Sequence, residues 1–104
     1  MTLNDVCEQI RKTANTYGFE VEQSHLFRLP VIRSEELNFC LLEKHDYNMA
    51  KRTVTTHVLP SASVRRMGGS PTVEELLKTA EEIQRGAELV QKLQSMGLSF
   101  IETF

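Results

Sequence analysis

Apolar residues recur in the last third of the chain at Val73, Leu76, Ala80, Ile83, Ala87 and Val90, in alternating steps of three and four. That spacing stacks side chains on one stripe of an α-helix and predicts a helix over 72–96. On the opposite face, acids precede bases by four residues at Glu74–Lys78, Glu81–Arg85 and Glu88–Lys92. This is the favourable order for surface pairs, each worth a few tenths of a kcal/mol at most. Ser70-Pro71 offers one start for the helix, and Thr72 with Glu75, as a capping box, offers another. Gly97, followed by Leu98, reads as its C-terminal cap. Gly86 stands inside the helix, where it costs about 1 kcal/mol against Ala and lets another backbone approach closely.

A second helical period runs through Leu3, Val6, Cys7, Ile10, Ala14 and Tyr17. Thr2 and Asp5 resemble a capping box with Asp in the place of Glu, and Gly18 supplies the positive-φ residue after the helix. Beyond Gly18 the period changes to two. Phe19 to Glu22 and Phe27 to Val31 alternate, with Pro30 forcing the second segment to a sheet edge or out of the sheet. The pattern leaves open whether 19–32 is one bent strand or two short ones. Leu37, Phe39 and Leu41 begin a strand expected to run to about His45, and Asp46-Tyr47-Asn48 marks a reversal. Arg52 to Leu59 is rich in β-branched residues, so 37–59 reads as a hairpin ended by Pro60. Residues 61–70 read as a flexible loop. The tail from Ser99 to Phe104 is apolar enough to form a last strand.

The order predicts a two-layer α+β fold. An N-terminal helix and one long C-terminal helix pack on a small antiparallel sheet of three to five short strands. With 104 residues, 40% apolar and 25% charged, the chain reads as a single domain over 1–104. No apolar run reaches the ~20 residues of a membrane span, and the N-terminus lacks the pattern of a signal peptide. The expectation is a cytoplasmic protein with two reduced thiols, Cys7 and Cys40.

The long helix broadens its apolar set in its last half to Leu89, Val90, Leu93 and Met96. A contact surface is therefore expected on Leu89, Leu93, Met96, Phe100 and Phe104, serving another protein or a homodimer. The near-heptad spacing fits such a contact but carries no sustained charge code. The alternative is a basic region: Lys51, Arg52, Arg65 and Arg66 fall between Tyr47 and Ser70, a stretch without an acid. With the glycines that lead into a helix N-terminus, it would serve an anion or a nucleic acid. Against this, the net charge is −2, and the second helix opens on Glu74 and Glu75, where a double-stranded RNA-binding domain of the same element order needs lysines. If Phe39 and Leu41 share a face with Val54 and Val58, Cys40 and His57 share the other, which begins a nucleophilic pair but supplies neither orienting group nor oxyanion hole. No zinc spacing, P-loop, dinucleotide fingerprint or hydrolase elbow occurs, so neither cofactor nor catalysis is expected.

Overall fold

A long antiparallel hairpin forms the axis of the molecule in this computed structural model, which describes residues 2–48, 50–65 and 69–103. Strands β3 (Leu37–Asn48) and β4 (Thr53–Val64) pair along their whole length, from Leu37 opposite Val64 to Asn48 opposite Thr53. Around them stand α1 (Leu3–Thr16), β1 (Glu20–Glu22), β2 (Val31–Arg33), α2 (Val73–Met96) and β5 (Ser99–Thr103). The sheet order is β1-β2-β3-β4-β5, all antiparallel. The fold is α+β, and its principal extents are 57 × 23 × 18 Å. Among the described residues no helix is long and apolar enough to cross a membrane.

Local chemistry sets the helix ends. Thr2 Oγ1 accepts from the Asp5 N–H at 3.2 Å and Asp5 Oδ2 accepts from the Thr2 N–H at 3.1 Å, the reciprocal box that satisfies two orphan donors. Gly18 (φ +83°) and Gly97 (φ +57°) take the left-handed conformation at the ends of α1 and α2, as their positions predict. Of the two starts for α2, the chain uses Thr72, whose side chain accepts from the Glu75 N–H.

One face of the sheet is apolar. Ile32, Phe39, Leu41 and Val58 meet Val6, Ile10 and Ala14 of α1 and Leu89 and Leu93 of α2 in a single cluster. Phe19 and Phe39 pack edge to face, with centroids 5.4 Å apart.

Two boundaries differ from the sequence reading, and one question it leaves open is answered. The hairpin reverses after Asn48, not at 46–48, and Arg52 turns the chain at φ +49°. Residues 61–64 are not loop: β4 runs through Pro60 to Val64. It can do so because β5 pairs with β4 only from Thr53 to His57. The Val58 N–H points to the β5 side, toward the Leu98 carbonyl, so Pro60, two residues on, would aim its missing N–H at an open edge. Finally, 19–32 resolves into two strands joined by 23–30, with Pro30 buried just ahead of β2.

Candidate functional site

Two stripes run along α2: one is buried, and the other is exposed from Val73 to Ala87, with Val90 half-buried against the core. The stripe against the sheet is Glu82, Gly86, Leu89 and Leu93. It holds the helix close because Gly86 has no Cβ: an ideal one would stand 2.6 Å from Phe39 Cζ and 3.2 Å from Leu37 Cδ1. Glu82, 3% exposed, is satisfied in place by the Ser34 hydroxyl and the Glu36 N–H, both at 2.9 Å. These donors come from the β2–β3 turn, so a buried carboxylate ties the middle of α2 to it.

The stripe with the regular spacing lies on the flank instead. Val73 is 72% exposed, Leu76 55%, Leu77 61% and Ile83 49%. Its C-terminal half, Ile83, Ala87 and Val90, forms one wall of an apolar groove of about 520 Å³ that Leu37, Phe39, Ala62 and Val64 also line. Here β4 continues past the end of β5, and Ala62 and Val64 are exposed beside α2.

The residues expected to form the contact surface are mostly core. Leu89 and Leu93 are buried, because α2 turns its Gly86 side, not its regular stripe, to the sheet, and Phe100 is buried on β5 opposite Thr56. Met96 is partly buried, its sulfur 3.5 Å from Thr13 Oγ1 of α1. Phe104 lies outside the described residues. The exposed Val73, Leu76, Leu77 and Ile83 are missing from the expected set. The signal for them is the heptad spacing itself, which reads most simply as the side that faces the sheet.

The basic region does not assemble. Lys51 and Arg52 sit at the hairpin tip and Arg65 follows the far end of β4, thirteen residues from Arg52, or roughly 40 Å along a strand. Arg66 is outside the described residues. Arg65 donates to the Ser34 carbonyl and joins Arg33, Lys78 and Arg85 in a polar cleft of about 380 Å³ with Glu20, Glu35 and Glu82. The cations there are engaged: Arg33 with Glu22, Lys78 with Glu35, and Arg85 over the Phe19 ring. The hydrogen bond from Lys78 holds the Glu35 carboxyl below its usual range and raises the lysine in return.

Cys40 and His57 do share the outer face of the sheet, but the register separates them. Cys40 lies opposite Ser61 and His57 opposite Lys44, four positions or about 13 Å along the strand. His57 Nε2 is instead 2.8 Å from Asp46. Cys7, the other thiol, is pushed up from its ordinary pKa by burial, with Arg11 opposing. A different triplet has the order of a nucleophile, a base and an orienting acid. Thr56 Oγ1 lies 3.2 Å from His45 Nδ1, and His45 Nε2 lies 3.1 Å from Glu43. Thr56, however, is fully buried, so its hydroxyl is out of reach of a substrate and the imidazole serves to satisfy it. Among the described residues no three of His, Cys, Asp and Glu converge as a metal-binding set.

The open flank of α2 with its groove is an extended apolar surface, and it stands without a precedent to interpret it: no family model, curated protein or solved structure matches this chain.

Proposed function

We propose that this is a non-enzymatic interaction or regulatory protein that works by protein–protein contact, through the open flank of α2 rather than through its buried stripe. The observation that carries the reading is the exposure of Val73, Leu76, Leu77 and Ile83 in line with the groove at Ala62 and Val64. Water-facing apolar side chains scattered singly need no explanation, but a contiguous stripe that runs into an apolar groove marks a contact surface. The free thiols of Cys7 and Cys40 suit a reducing compartment, and we take the cytoplasm as its place of action.

A photo-activatable cross-linking residue tests this. Placed at Gln84, beside the stripe, it is expected to capture a protein neighbour in the source cell, and the same residue at Glu81, on the charged face, is not. No capture from Gln84, or equal capture from both positions, contradicts the reading.

A further inference from the structure

Resting on that contact reading, we propose that the occupant of the open flank is a second copy of this chain, its α2 packed antiparallel to the first about a two-fold axis passing between Ala80 and Ile83. The stripe is a seam of seven-residue period: Val73, Ala80 and Ala87 hold one position of the heptad and Leu76, Ile83 and Val90 the other. A period of seven is what keeps two helices in contact along their length.

Turned end for end, this seam matches itself. Val73 meets the partner's Val90, Leu76 meets the partner's Ala87, and Ala80 meets the partner's Ile83. Each layer then pairs a large residue with a small one, or two valines, so the layers fill evenly. In the parallel arrangement Leu76 and Ile83 would each face their own copies, as would Ala80 and Ala87. Crowded layers would alternate with hollow ones, and both faults cost stability.

Charge favours the same occupant. Every charged residue of α2 stands away from the seam and from the positions that flank it; the flanks are Leu77, Gln84 and Gln91 on one side and Thr72, Thr79, Gly86 and Leu93, the last two against the sheet, on the other. Closing the seam on its own copy buries no charge. It also offers no charge code of the type that selects an unlike partner.

The groove completes the fit. Residues 73–78 are all exposed. In the antiparallel pair this overhang comes against the partner's Ala87 and the partner's Val90, and so fills the partner's groove. The two-fold axis makes the same contact twice, as a self-complementary interface requires.

Sedimentation equilibrium of the full chain, with Leu76→Glu and Ile83→Glu as separate variants, tests the assembly. The expected result is a dimer at roughly 100 μM, with each variant weakening it at least ~100-fold while keeping the far-UV circular dichroism of the parent. Leu76 is exposed and does not line the groove, so its variant carries the test if Ile83→Glu unfolds. Orientation is read from Val73→Cys and Val90→Cys proteins, oxidised singly and mixed, with disulfides located by peptide mapping. A disulfide that joins position 73 of one copy to position 90 of the other, formed in the mixture alone, is expected. Like positions lie about 25 Å apart in the antiparallel pair, too far to be bridged. A monomer at the top concentration overturns the proposal, as does a disulfide between the two copies of position 73. If the chain is monomeric but Gln84 still captures another protein, the contact reading survives and the self-pairing falls; if it captures nothing, both fall.

Discussion

The phenyl ring of Phe39 occupies the space that a Cβ on Gly86 would need, with Cζ 2.6 Å from the ideal position. A glycine that weakens the helix by its own propensity is thereby the point where helix and sheet come closest. Gly86→Ala should gain about 1 kcal/mol in helix propensity and lose more than that to the displaced ring, for a net loss of up to about 2 kcal/mol. Urea unfolding measures the difference. A variant more stable than the parent would mean that the ring is not held there.

Glu82 supplies the second fixed point. Glu82→Ala leaves the Glu36 N–H and the Ser34 hydroxyl without their carboxylate acceptor, and an unmet buried donor costs about 1–3 kcal/mol. Glu82→Gln keeps an oxygen at the same place and should recover most of the loss. Equal stabilities for the Ala variant and the parent would remove Glu82 from the framework.

These two residues also explain what the sequence could and could not tell. Both helices, their caps and the alternation of β3 were legible, because each depends on neighbours within a few residues. Which stripe of α2 meets the sheet was not. Glu82 and Gly86 read as a charged and a small residue, and only their distant partners, Ser34, Glu36 and Phe39, turn them into the buried side. The broadened last half of the helix reads as surplus apolar surface, but its Leu89 and Leu93, like Phe100, are what the core needs. Pro60 misled similarly: it ends a strand paired on both edges, whereas this stretch of β4 is paired on one. Extending the hairpin at both ends then carried Arg52 and Arg65 apart, dissolving a patch that looked continuous along the chain.

The N-terminal cap of α1 has a pH signature. The Thr2 N–H, and then the Thr2 hydroxyl, hold the Asp5 carboxyl below its ordinary range. A lowered folded value means a stabilising contribution fully present above the unfolded pKa of about 3.9 and lost as the pH falls through the lowered value. In carbon-detected NMR titration Asp5 should therefore protonate at lower pH than in the unfolded chain. Its cap should persist at about pH 4 and fail below. An Asp5 titration at or above the unfolded value contradicts the reciprocal box.

The most direct test sets the two stripes of α2 against each other: unfolding free energies of Leu76→Ala and Leu89→Ala, in dilute and in concentrated protein. Leu89→Ala is expected to lose about 2–5 kcal/mol at any concentration, as a core leucine does. Leu76→Ala should stay within about 0.5 kcal/mol of the parent in dilute solution and forfeit only the stability that concentration adds. If Leu76→Ala costs as much as Leu89→Ala in dilute solution, the 73–90 stripe is core, and α2 has no open flank with which to bind.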